Sequence, residues 1–80
     1  MRVNIKNTMK LINVAEYQIK KLEECSVQYI SDNDKLIIQV QKIDLEEQDM
    51  EDILEVIYQQ GEFNIVLERY DFGRYSLKID

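Results

Sequence analysis

Histidine, proline and tryptophan are absent from this 80-residue chain, which holds only one cysteine and two glycines. Without histidine it lacks the usual general base, the usual metal ligand and any Ser-His or Cys-His nucleophile pair. A lone cysteine, Cys25, excludes an internal disulfide framework and a cysteine-clustered zinc site, and it fits a reducing compartment. An intracellular, cytoplasmic protein is therefore expected. No apolar run approaches the roughly 18 residues that signal a membrane span. Met1 to Lys10 also lacks the continuous apolar stretch of a secretory signal. With 45% hydrophobic residues and so few breakers, the chain reads as one compact domain, residues 1–80, with tight turns. At this length a fold buries only roughly 60% of the surface its unfolded chain exposes, which leaves little room for a deep, preorganised active site.

Basic residues are missing from one long stretch. Between Ile43 and Glu68 stand nine acids and no lysine or arginine: Asp44, Glu46, Glu47, Asp49, Glu51, Asp52, Glu55, Glu62 and Glu68. The flanking segments are slightly basic, so the whole net charge of −6 is local. A localised field bears on partners and solubility rather than on fold.

Hydrophobic periodicity predicts two αββ units. From Thr8 to Glu24, Leu11, Ile12, Ala15, Ile19 and Leu22 recur at three- and four-residue steps, the spacing of one helix face, with Asn7 or Thr8 available as N-cap. Val27 to Ile30 reads as a short strand. Ser31 to Asp34 is a cluster of turn formers, and Lys35 to Ile43 alternates as a hairpin's second arm. Asp44 can cap a second helix, with Glu47 three residues on and an apolar arc of Leu45, Met50, Ile53, Leu54, Val56 and Ile57; Gly61 should end it. Glu62 to Tyr70 and Arg74 to Ile79 alternate as two more strands around an Asp71-Phe72-Gly73 turn. Both halves end in Lys-Ile-Asp, which hints at a duplicated αββ unit. The expected fold is α+β: a four-stranded antiparallel sheet with both helices on one face.

On the second helix Glu47, Glu51 and Glu55 form one i, i+4 row, with Asp52 beside it. Each like-charge pair at that spacing costs about 0.2–0.5 kcal/mol of helix stability. A solvated face near the positive end of the helix dipole accounts for Glu46 and Glu47, but it gives no reason for Glu51, Asp52 and Glu55. A negative surface that meets a basic partner does. Phe72 and Arg74, on the turn between the last strands, are candidate anchors, since aromatic and arginine residues dominate binding hot spots. Tyr75 shares the parity of Leu77 and Ile79 and belongs with the core. Cys25 is expected to be a small buried apolar residue.

Other features carry less. Lys10, Lys20, Lys21 and Lys6 make a modest stripe on the first helix, read as solubilising. Direct nucleic-acid binding is disfavoured because the acidic helix would repel phosphate. Asp71-Phe72-Gly73 matches the magnesium-binding tripeptide of protein kinases in letters only. Asp32-Asn33-Asp34 opens like a calcium loop, yet Leu36, Ile37 and Ile43 stand where its later ligands and glycine belong. No cofactor, metal site or catalytic residue is predicted. In size and charge the chain is similar in kind to small acidic inhibitor proteins of mobile elements that mimic nucleic acid, a resemblance that carries over no residue. The expected function is a non-enzymatic protein-binding module, plausibly an inhibitor of a basic nucleic-acid-processing protein, bound through Glu47, Glu51, Asp52, Glu55, Phe72 and Arg74. The alternative is a structural or regulatory homo-oligomer in which a free sheet face or edge strand pairs with its twin.

Overall fold

The computed structural model describes residues 4–80. The Lys6 side chain, part of the basic stripe, lies outside the described residues. Six elements follow in the expected order: α1 (Ile5–Ile19), β1 (Ser26–Asp32), β2 (Lys35–Gln41), α2 (Glu47–Tyr58), β3 (Ile65–Arg69) and β4 (Arg74–Ile79). The strands form one antiparallel sheet in the order β1-β2-β4-β3.

The central pair sets the core. Leu36, Ile38 and Val40 of β2 stand opposite Ile79, Leu77 and Tyr75 of β4, and all six are buried. Because side chains alternate along a strand, this parity puts Val27 and Tyr29 of β1 and Ile65 and Leu67 of β3 on the same face, where they pack half-buried at its margins. Leu11, Ala15 and Ile19 of α1 and Met50, Ile53 and Ile57 of α2 complete that core, so both helices cover one face of the sheet. The other face carries Gln28, Ile30, Ile37, Gln39, Val66, Glu68, Arg74, Ser76 and Lys78, and among the described residues no helix lies over it.

The helix ends differ from those expected. Asn4, not Asn7 or Thr8, is the N-cap of α1: its Oδ1 accepts from the Asn7 N–H at 3.0 Å. The helix stops at Ile19 rather than Glu24, because the chain must turn to place β1 under it, and Glu24 takes a left-handed φ of 53° in that turn. For α2 the cap is Glu46, not Asp44. The Asp49 carboxylate accepts from the Glu46 N–H at 3.0 Å, while Asp44 turns back to pair with Lys42. Leu45, just ahead of that cap, is buried with Met50, as a hydrophobic staple requires.

Asn33 closes the β1–β2 hairpin at φ 54°, a conformation Asn tolerates. The β3–β4 hairpin closes through Phe72 at φ 62° and Gly73 at φ 66°. The Lys-Ile-Asp match does not relate the second strands of the two halves in space. Lys42 follows β2 whereas Lys78 lies inside β4, so aligning them puts core-facing Ile38 on Arg74, which faces outward. The two αββ units do meet through their second strands, β2 and β4.

Gly73 is fixed by its surroundings. A Cβ there would lie 1.9 Å from the Lys42 carbonyl oxygen, and the Lys42 N–H donates to the Gly73 carbonyl at 3.0 Å. Gly73→Ala adds a backbone clash to the left-handed penalty of about 1–2 kcal/mol. Urea unfolding should show a loss of about 2 kcal/mol or more.

Candidate functional site

The helical repeat and the burial of Met50, Ile53 and Ile57 turn Glu47, Glu51, Asp52 and Glu55 away from the sheet, and all four are exposed. The Gln48 amide donates to Asp52 Oδ1 at 3.2 Å. Among the described residues no ion pair or hydrogen bond engages the carboxylates of Glu47, Glu51 or Glu55. At 1.5 Å rise per residue the three repeat about every 6 Å along the axis, giving a straight row of uncompensated charge.

The acids that do have partners stand elsewhere. Asp44 pairs with Lys42, which holds its carboxyl below the usual range. Glu68, on the open sheet face, accepts from the Tyr70 hydroxyl at 2.6 Å and meets Lys78 Nζ at 2.9 Å. These bonds, the tyrosine's first, lower its pKa and raise that of Tyr70. A depressed carboxylate contributes stability above its unfolded pKa, and that contribution is lost as pH falls through the folded value. Tyr70 is exposed and Glu68 only half-buried, so solvent screening keeps the effect small.

The hairpin tip is a second, separate feature. Phe72 is 87% exposed at its left-handed φ, an uncommon setting for a bulky side chain. The Arg74 guanidinium sits 5.0 Å from the centre of the Tyr70 ring, and Arg69 lies 5.9 Å from that of Tyr75. Gln41, Arg69, Tyr70, Asp71, Phe72 and Arg74 line an open hollow of about 430 Å³.

These residues do not make one patch. The four carboxylates share the outer surface of α2. Arg74 pairs with Gln41 in the sheet and shares its outward parity, which puts it on the opposite side of the molecule. Phe72 lines the hairpin-tip hollow together with Arg74, and none of the four acids lines it; the neighbouring Gly73 rests against the Lys42–Ile43 backbone that leads into α2.

Tyr75 is buried in the core, as its parity required. Cys25 is half-buried rather than buried, and partial desolvation pushes its thiol up, so thiolate is disfavoured. Reading by periodicity missed the Glu68–Tyr70–Lys78–Arg74 cluster, because it spans two strands. Alternation within Glu62 to Tyr70 and Arg74 to Ile79 could have found it once the hairpin was drawn. Among the described residues no group of three or more His, Cys, Asp or Glu side chains is placed to hold a metal ion. No family model matches the chain, and no curated protein matches it.

The row has a measurable cost. Glu51→Lys turns two repulsive i, i+4 pairs into attractive ones, so it should raise unfolding stability by about 1 kcal/mol in low salt, with the gain shrinking as salt rises. Denaturant titration at two ionic strengths checks it.

Proposed function

We propose that this chain is a small non-enzymatic protein-binding module, an inhibitor acting in the cytoplasm that presents a nucleic-acid-like charge row to a basic nucleic-acid-processing protein. The observation that carries this reading is the row itself: Glu47, Glu51 and Glu55 are exposed, in line and unpaired among the described residues. Such a row resembles a phosphate backbone in presenting regular negative charge, and a basic groove gains Coulomb energy and association rate by meeting it. Asp52 widens the row.

Phe72 supplies a contact of another kind. Its exposed ring, on the hairpin whose Gly73 rests against the backbone leading into α2, can bury apolar area against a partner. Arg74 faces the other way, so within one binding event it serves as a stacking partner that stiffens Tyr70 at the tip. Inhibitors of this type suit the mobile elements whose small acidic proteins this chain resembles in size and charge. The net charge of −6 argues against direct contact with DNA or RNA. No helix among the described residues is long and apolar enough to cross a membrane. The homo-oligomer alternative draws on a free sheet face or an edge strand, surfaces other than the outer face of α2, so the two readings do not compete for the same four acids.

The test is the affinity for a basic protein recovered from the native host. Wild-type affinity should fall steeply as salt rises, and Glu51→Gln with Glu55→Gln should weaken binding about tenfold in low salt while the fold persists. Affinity that responds to neither salt nor the double substitution overturns the proposal.

A further inference from the structure

The two edges of the sheet are built differently. The β3 edge is five residues long and carries Glu68 and Arg69, with Glu68 tied to Lys78 at 2.9 Å. Charges on an edge strand discourage pairing with another strand. The β1 edge is seven residues long, and its register with β2 runs unbroken from Ser26↔Gln41 to Asp32↔Lys35. From Ser26 to Ser31 it has no charge, no glycine, no proline and no bulge. Alternate N–H and C=O groups along it point away from β2, since an antiparallel strand directs only half of them to each neighbour.

The margin around that edge is apolar. Ile30, on the open sheet face, is 39% exposed. Val27 and Tyr29, on the helix face, are half-buried. Met9 of α1 is 59% exposed and joins Ser31 and Asn33 in lining a hollow of about 240 Å³ beside the strand.

We infer that β1 pairs with β1 of a second copy of this chain, antiparallel and across a two-fold axis, to make a continuous eight-stranded sheet. The second copy is the occupant for three reasons. An antiparallel strand is its own complement under a two-fold axis, which is the commonest symmetry of oligomers. The charge of the chain lies in the Ile43–Glu68 stretch, so two copies can meet through β1 without placing their acidic rows at the contact. From Ser26 to Ser31 the edge has no charge with which to select a foreign strand, Asp32 stands at its very end, and its apolar margin is matched by an identical margin.

The register that overlaps all seven residues centres on Tyr29. It sets Gln28 opposite Ile30 of the second copy, twice, on the open face. This inference is independent of the proposed acidic interface on α2.

Sedimentation and light scattering of the purified chain across a concentration series test it. Wild type should move from one chain mass to two as concentration rises, and the amides of β1, not those of β3, should gain protection from hydrogen exchange over the same range. Gln28→Lys with Ile30→Lys sets like charges directly opposite at both places and should weaken association about tenfold or more. Gln28→Glu with Ile30→Lys sets opposite charges there and should keep association near the wild-type level. Gln28 and Ile30 are both exposed, and circular dichroism confirms the fold of each variant. A wild type that stays at one chain mass at every concentration overturns the inference, as does equal association by the two variants. If either variant fails to fold, the wild-type exchange profile decides: protection that does not rise in β1 with concentration contradicts the pairing.

Discussion

Everything in this molecule depends on the antiparallel pairing of β2 with β4. Leu36, Ile38 and Val40 meet Ile79, Leu77 and Tyr75 there, all at 2% exposure or less. Each such side chain contributes about 1.5–3 kcal/mol by leaving water, and no other strand pair is buried so fully. The pairing joins the second strands of the two αββ units, so both helices must come down on the same side to cover it. The described residues hold two helices, and among them the other face of the sheet is left to side chains alone.

That asymmetry decides where polar chemistry sits. Ser76 lies in the centre of the open face between Gln39 and Glu68, and it is 1% exposed although no helix covers it. Its hydroxyl oxygen is buried there without a hydrogen-bond partner among the described residues. Glu68, Tyr70 and Lys78 form a bonded cluster beside it, with Arg74 stacked on Tyr70, so this face satisfies much of its own charge. The outer face of α2 does not. The acids of its first turn have a local use, since Asp49 closes the cap and Glu47 complements the helix dipole, but Glu51 and Glu55 repel their neighbours and stabilise nothing in the fold. Local conflicts of this kind are expected at functional sites, and the proposed binding surface rests on that expectation.

Much of the architecture was legible in the residues. Alternation identified the core faces of β2, β3 and β4, and the three- and four-residue steps gave the buried faces of both helices, because those periods follow directly from backbone geometry. Gly73 was placed in the right turn, though the reason only glycine fits there, the Lys42 carbonyl pressed against it, comes from a distant segment. The caps were misplaced for a related reason. Asp44 has the right chemistry for a cap, but Lys42 claims it, and Glu46, a poorer capping residue by type, takes the position. Strand order was not legible, since which strands lie at the edges depends on long-range pairing that no local pattern records. The contrast between the uncharged β1 edge and the charged β3 edge therefore emerged only from the fold. The acidic row was visible from its spacing alone, but its separation from Arg74 was not.

The central claim is that the outer face of α2 is a binding surface and not merely a solvated one. Solution NMR of the isotopically labelled chain, titrated with a basic protein recovered from its native host, tests this most directly. The account predicts that the largest shift changes map to Glu47, Glu51, Asp52 and Glu55, and that they vanish at high salt. Changes confined to β1 or to the open sheet face, with α2 undisturbed, would contradict it.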